Sequence, residues 1–231
     1  MRSASLIAAL VVTTLAAGSM SHAATRLDPA SFSAKVDNPW LPFTPGTTLV
    51  YRGVKDGKKT RDVVTVTHAV TRIGGVPCAT VHDELYEAGR LEERTTDWYS
   101  QDRAGNVWYV GEATAELDAK GRVTSREGSW RTGVGGARPG VFMPAHPAVG
   151  RTGRQEYLRG HAEDHYRVVR LDATVHTPYV SSRHALETAE WTPLEPGVLD
   201  RKVYVRGIGN VMEASRRGPV EINILVSVTH T

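Results

Sequence analysis

The chain is poor in cysteine, which limits the chemistry that it can perform. Cys78 is its one cysteine among 231 residues, so no disulfide can form within the chain. It follows Pro77 in the apolar run VPCATV, and nothing beside it in the sequence would activate a thiol. We therefore interpret Cys78 as a small buried apolar side chain rather than as a nucleophile.

A dominant charge of one sign is also missing. The 28 Lys and Arg residues nearly balance the 25 Asp and Glu residues, and neither sign forms a block. We therefore expect no nucleic-acid partner. The chain has no G-x-S-x-G turn, and the glycine-rich run GVGGARPG lacks the Gly-Lys-Ser/Thr of a phosphate-binding loop. No cofactor and no metal ion is predicted.

Long hydrophobic runs are scarce. One apolar run, residues 6–17, follows the positively charged Arg2 and precedes the small residues around Ala23. This pattern predicts a secretory signal peptide at residues 1–23, cleaved after Ala23. No other run is long enough to span a membrane. We expect a secreted or periplasmic protein in which residues 24–231 form a single β domain.

Helical periodicity is almost absent. Only the stretch LDPASFSAKV suggests a helix, with Asp28 as its N-cap and Pro29 as its first residue. Elsewhere apolar and polar residues alternate, as in the run from Val220 to Thr229, and glycine-containing turns recur about every ten residues. The pattern predicts an all-β antiparallel meander of ten to twelve strands with one short N-terminal helix. Closure into a barrel, lipocalin-like or half-open like a lipoprotein carrier, would protect its edges; a β-sandwich is the alternative.

Aromatic residues and carboxylates recur together on several predicted strands. This clustering suggests a cavity lined by rings and acids, suited to sugars or amines. The opposing interpretation is that the rings fill a core while the acids face solvent, because neighbouring strand residues point to opposite faces. The candidate ligand-binding residues are Trp98, Tyr99, Trp108, Tyr109, Glu112, Trp130, Glu156, Tyr157, Asp164, Glu190 and Trp191, with Asp97 as a further acid.

The stretch HAEDH, residues 161–165, could suggest a metal site. On one strand, His161, Glu163 and His165 would share a face. Their spacing of about 6.6–7 Å makes a shared ion difficult, so a solvated strand face is the simpler interpretation. Asp164, on the other face, would point inward.

The order and amino-acid sequence of many segments resemble those of a family of bacterial secreted all-β proteins, a domain family of unknown function. The matching segments are NPWLPFTPGTTLVY, DWYSQDRAGNVWYVGE, EGSW, PGVFMPAHPAVG, RQEY, AED, EWTPLEPG and YVRGIGNV. The resemblance covers nearly all of residues 24–231, and it implies one exported all-β domain and no particular activity. The family pattern includes AED but not the flanking His161 and His165, which further disfavours a metal.

Three functional hypotheses follow. The first is a secreted protein that binds a small polar or amphipathic molecule in an aromatic- and carboxylate-lined cavity. The second is a carbohydrate-active hydrolase or lyase that uses a carboxylate pair. The third is a structural cell-envelope protein without a pocket. The sequence alone leaves open whether the protein is an enzyme. The acids considered for the carboxylate pair are Glu112, Glu127, Glu156, Asp164 and Glu190.

Overall fold

The computed structural model describes residues 27–231, so the signal peptide predicted at residues 1–23 lies outside the described residues. Within that range, the chain forms sixteen strands and one short helical turn. The strands are β1 (Phe32–Ser33), β2 (Thr47–Lys55), β3 (Lys58–Ile73), β4 (Val76–Glu87), β5 (Arg90–Asp102), β6 (Val107–Leu117), β7 (Val123–Ser125), β8 (Trp130–Arg131), β9 (Arg138–Met143), β10 (Thr152–Arg154), β11 (Glu156–Tyr157), β12 (His165–His176), β13 (Ser181–Trp191), β14 (Leu199–Val205), β15 (Gly209–Arg217) and β16 (Glu221–His230).

Tight turns join many of these strands in sequence order. Asp56 and Gly57 connect β2 to β3 with φ angles of 47° and 79°, and Ala88 and Gly89 connect β4 to β5 with 50° and 87°. Two successive residues with positive φ are typical of the type I′ hairpin, whose twist matches that of the strands it joins. The glycine-containing turns seen in the sequence therefore do set up consecutive antiparallel hairpins.

All sixteen strands belong to one sheet that is nearly closed into a barrel. Along the main path the order is β10-β12-β13-β14-β15-β16-β2-β3-β4-β5-β6-β9-β11, and β16 joins the two halves of the chain by pairing with β2. Near the two ends of the path, Gly140 on β9 approaches Arg154 on β10. A Cβ atom at Gly140 would lie 2.1 Å from the Arg154 carbonyl oxygen, so this approach requires glycine.

Two layers of apolar side chains pack on opposite faces of strands β4 to β6. One face carries an aromatic cluster that includes Tyr99, Tyr109, Trp130, Tyr166 and Tyr204. The opposite face carries Leu27, Ile73, Val76, Cys78, Trp98 and Val110, with Phe32 and Trp108 packed against them. The N-terminal segment thus covers this second face, and Cys78 is fully buried there, as its sequence context suggested.

The predicted all-β barrel is confirmed, and two details differ from the prediction. Ten strands have seven or more residues; most of the others contain only two or three, too few to show alternation in a sequence. The predicted helix is a single 3₁₀ turn, Pro29–Ser31, capped by the Asp28 side chain, because Phe32 leaves the turn to pair with Asp102 of β5.

The single-domain assignment of residues 24–231 stays a prediction. Within the described range, the protein has no helix that is both long and apolar enough to cross a bilayer.

Candidate functional site

A cavity of about 160 Å³ lies within the barrel, bordered by the loop that follows β1 and by the β14–β15 hairpin. This volume is close to that of an engineered protein cavity of about 150 Å³ that binds benzene, so a small organic molecule has room here. The cavity walls carry aromatic rings, carboxyl groups and one ammonium group: Phe43, Tyr51, Tyr99, Phe142 and Tyr204; Asp62, Asp83, Asp97 and Glu213; and Lys202.

One wall is formed by a loop that Asn38 holds in place. The Asn38 amide donates a hydrogen bond of 2.9 Å to the Gly105 carbonyl, and its carbonyl oxygen accepts one of 2.9 Å from the Trp40 backbone N–H. The Phe43 N–H closes the loop by bonding to the Val36 carbonyl at 3.0 Å. These bonds place the Phe43 ring against Tyr99, with ring centroids 4.7 Å apart.

Two acids of the cavity wall occupy positions where alternation places apolar residues. Asp62 lies on β3 in phase with Val64, and Asp83 lies on β4 in phase with Val81. Residues two apart on a strand share a face, so each acid continues an inward row. Neither acid is among the residues predicted from the sequence, although a carboxylate in phase with an apolar row is a visible signal for such a position.

The Asp62 and Asp83 side chains lie diagonally across the β3–β4 pair and line the same cavity. Burial, and then the charge of Asp83, raise the pKa of Asp62; burial likewise raises the pKa of Asp83. Asp62 Oδ1 is buried and receives no hydrogen bond from an N–H or hydroxyl group of the described residues.

Lys202 supplies the one positive charge in the described lining of the cavity. Its Nζ lies 3.2 Å from Glu190 Oε2 and 3.7 Å from Glu213 Oε1. Burial acts to lower the pKa of Lys202, but the attraction of Glu190 and Glu213 outweighs it and the pKa is raised well above its usual value. Burial also raises the pKa of Glu213 to about 7, although Lys202 opposes this shift.

Glu190 is the best-bonded acid of this region. Besides Lys202, it receives hydrogen bonds from Thr188 Oγ1 at 2.8 Å, Tyr204 Oη at 3.3 Å and Gln155 Nε2 at 3.4 Å. A carboxylate with several donors and an ammonium partner is stable as a buried charge. Glu190 and Lys202 therefore form a buried ion pair, while the Lys202 charge still acts on neighbouring acids such as Glu213.

A second carboxyl pair meets at the hydroxyl of Tyr109. This oxygen lies 2.5 Å from Asp97 Oδ1 and 3.0 Å from Glu112 Oε2. The phenol has a single proton to donate, so the second bond needs a proton on one of the carboxyls. Burial, and then repulsion by Glu112, raise the pKa of Asp97 well above its usual value; burial, and then repulsion by Glu156, raise the pKa of Glu112 to about 8.

Glu156 extends this acid network towards Trp130. The indole Nε1 donates to Glu156 Oε2 at 2.5 Å, and both side chains are buried. Burial, and then repulsion by Asp164, raise the pKa of Glu156 to about 8, while the Trp130 hydrogen bond opposes the shift. Burial and mutual repulsion thus favour the uncharged forms of Asp97, Glu112 and Glu156, and a cation among them would favour the charged forms.

The structure brings together about half of the residues predicted to bind ligand. Tyr99 and Tyr109 stack with ring centroids 4.8 Å apart, and Trp130 packs edge-on against Tyr109 at 5.4 Å. The acids Asp97, Glu112, Glu156 and Glu190 belong to the networks around these rings. Of these residues, Tyr99 and Asp97 line the cavity itself.

The other predicted residues lie elsewhere. Trp98 and Trp108 pack on the opposite face of the sheet, with the Arg131 guanidinium 4.5 Å from the Trp98 ring. Trp191 stacks on His165 at 5.7 Å. Tyr157 lies beneath the guanidinium of Arg154 at 4.5 Å and near that of Arg138 at 5.2 Å, and Asp164 is exposed. Adjacent residues of a strand point to opposite faces, which separates Trp98 from Tyr99.

The histidines of the HAEDH stretch do not share a strand. Strand β12 begins only at His165, and the chain turns at residues 158–162. His161 Nδ1 lies 2.7 Å from Glu127 Oε1, whereas His165 Nδ1 lies 2.8 Å from the Glu163 carbonyl oxygen. Among residues 27–231, no three His, Cys, Asp or Glu side chains converge in an arrangement that could hold a metal ion.

Two solved structures are similar to the chain in fold. A provisionally assigned exported protein with a YmcC-like fold from Bacteroides fragilis aligns with a TM-score of 0.48 at 14% identity, covering 82% of this chain and 98% of that one. A provisionally assigned lipoprotein from Parabacteroides distasonis aligns with a TM-score of 0.42 at 9% identity, with the same coverage. No protein-family model matches the chain, and no curated protein matches it in sequence.

Proposed function

We propose that this protein is exported and binds a small polar or amphipathic molecule in the barrel cavity. The observation that carries the proposal is the cavity lining, which combines aromatic rings with carboxyl groups around a space of about 160 Å³. Rings alone would suggest a dry core, and acids alone would suggest a solvated face. Together around an open space they are typical of sites that bind molecules with an apolar body and a polar group.

The construction of the cavity supports a binding role. Its rings come from the loop after β1 and from strands on several sides of the barrel, and hydrogen bonds within that loop hold Phe43 in place. A site made of preset side chains loses little conformational entropy when a ligand enters. Asp62 Oδ1 also receives no hydrogen bond from an N–H or hydroxyl group of the described residues, so a ligand can supply one.

Native mass spectrometry tests the proposal directly. The protein would be produced with its signal sequence in a bacterial host and purified from the exported fraction under gentle conditions. We expect an organic mass bound to the wild-type chain, and the host fraction that contains the protein tests export itself. A wild-type chain that is always bare after incubation with host extracts would contradict the binding proposal.

A pair of matched variants assigns the bound mass to the cavity. Val64 lines the cavity, whereas its neighbour Val63 points to the opposite face of β3. Val64→Phe narrows the cavity and is expected to abolish the organic adduct. Val63→Phe adds the same atoms outside the cavity and is expected to retain the adduct. Equal retention in both variants would place the ligand elsewhere.

The hydrolase and cell-envelope hypotheses remain predictions. Asp97 and Glu112 both bond to the Tyr109 hydroxyl, and Glu156 bonds to Trp130. These three acids are therefore engaged by neighbouring side chains.

A further inference from the structure

The charges that line the cavity are unequal. Four carboxyl groups face one ammonium group, and Lys202 is already bound to Glu190 and Glu213. Asp62 and Asp83 contact each other, and no basic side chain of the described residues forms a salt bridge with either. With Lys202 paired to other acids, the part of the cavity at Asp62 and Asp83 has more acidic than basic groups.

One oxygen atom of Asp62 illustrates this excess of acidic groups. Its Oδ1 is buried and receives no hydrogen bond from an N–H or hydroxyl group of residues 27–231. A buried acceptor without a donor costs about 1–3 kcal/mol, and proteins rarely retain such a group without a reason. A donor that enters the cavity would remove this penalty, and a positively charged donor would remove the repulsion from Asp83 as well.

The remainder of the lining favours an organic cation over a bare ion. Tyr51, Tyr99 and Phe43 face the same space as the two acids. Aromatic faces attract ammonium groups and also bury the apolar body to which such a group is attached. Asp62 and Asp83 would offer a metal ion two carboxyl groups, whereas an ion of the calcium type takes six to eight oxygen ligands.

We propose that the cavity selects a small organic cation, whose ammonium group binds between Asp62 and Asp83 and whose apolar body packs on Tyr51, Tyr99 and Phe43. This inference rests on the proposed binding function and specifies the class of ligand. The volume of about 160 Å³ limits the ligand to the size of a benzene ring with a short substituent. An amine with a single ring or a short branched chain fits this limit.

The test uses three probes of nearly equal size and different charge: benzylamine as the cation, benzyl alcohol as its neutral isostere, and benzoate as the anion. Binding to the wild-type protein is measured by isothermal titration calorimetry at about pH 7.5. We expect benzylamine to bind at least about tenfold more tightly than benzyl alcohol, a difference of about 1.4 kcal/mol. Benzoate is expected not to bind, because the cavity would place it among like charges.

Isosteric variants identify the acids responsible. Asp62→Asn and Asp83→Asn each remove one carboxylate without changing shape, and each is expected to weaken benzylamine binding at least about tenfold. Either substitution relieves a contact between acids, so the fold should be retained; circular dichroism checks this. Asp56→Asn is the matched control, because Asp56 lies exposed in the β2–β3 turn, where asparagine also accepts its positive φ of 47°. It should leave binding unchanged.

The outcomes separate this inference from the proposed function. Benzyl alcohol binding as tightly as benzylamine would overturn the choice of a cation and leave a neutral-ligand cavity. Benzylamine binding that survives both Asp62→Asn and Asp83→Asn would overturn the assigned acids. Failure of all three probes would overturn the inference, and the binding function itself would then stand or fall on the organic adduct and its loss in Val64→Phe.

Discussion

Glu156 offers a direct measure of how strongly the barrel interior suppresses carboxylate charge. Burial, and then repulsion by Asp164, raise its pKa from 4.5 to about 8, and only 6% of the residue is exposed. Between these two pH values the folded protein keeps a proton that the unfolded chain has lost. Unfolding then releases a proton, so this group's contribution to stability falls as the pH rises.

The size of the effect follows from the pKa shift. A one-unit difference in pKa corresponds to about 1.36 kcal/mol, so Glu156 should lower the free energy of unfolding by at most about 4 kcal/mol between about pH 5 and pH 8. Glu156→Gln removes this titration but keeps an oxygen that can accept the Trp130 N–H bond. The variant should therefore match the wild type within about 1 kcal/mol near pH 5 and exceed its stability near pH 8.

Urea unfolding, followed by tryptophan fluorescence across this pH range at constant ionic strength, measures the difference. The difference between the two curves reports Glu156 together with the part of the Glu112 shift that Glu156 causes. Glu195→Gln, at an exposed turn position, is the control and should run parallel to the wild type. Parallel curves for Glu156→Gln and the wild type would show that Glu156 ionises freely in the folded state, and the account of the acid network would be wrong.

Three further predictions concern other parts of the barrel. Lys202→Met should destabilise the protein by about 3–5 kcal/mol near pH 8, measured by urea unfolding, because Glu190 loses its buried ionic partner; an effect under about 1 kcal/mol would contradict the ion-pair assignment. Tyr109→Phe should cost about 1–3 kcal/mol, since the carboxyls that share its hydroxyl lose a donor, and thermal unfolding with no change would refute this. Burial raises the pKa of Cys78 to about 12. Ellman's reagent at about pH 8 should therefore label the thiol only after urea is added. Rapid labelling of the folded protein would show that the apolar face of the sheet around Cys78 opens to solvent.

Much of the fold is predictable because the relevant signals are local. The turn residues Asp56-Gly57 and the alternation around Val64 act within a few neighbouring residues, and both appear as predicted. The helix predicted after Asp28 is only a single turn because Phe32 pairs with β5, at a residue 70 positions away in the chain. Capping signals describe how a helix begins and carry no information about such competing partners.

The candidate site was only partly predictable, because a strand does not reveal which of its faces will point inward. Trp98 and Tyr99 are equally aromatic neighbours, yet the barrel places Tyr99 at the cavity and Trp98 beneath the N-terminal segment. Glu190 is a predicted ligand-binding residue, but it lies outside the cavity lining and pairs with Lys202, which no sequence pattern singles out. The pairing of β13 with β14 brings these two side chains together.

The sequence by itself determined the all-β class, the succession of hairpins and the supply of rings and acids, because these depend on alternation, turn chemistry and composition. Only the tertiary structure decided which acids share a space. Asp62 meets Asp83 through strand register, Asp97 meets Glu112 at one hydroxyl, and the barrel interior shields these side chains from bulk water, Asp97 most completely. Register and closure are properties of the whole sheet, and they determine how deeply each carboxyl is buried. Burial in turn determines whether the carboxyl is a solvated charge or a candidate partner for a cation.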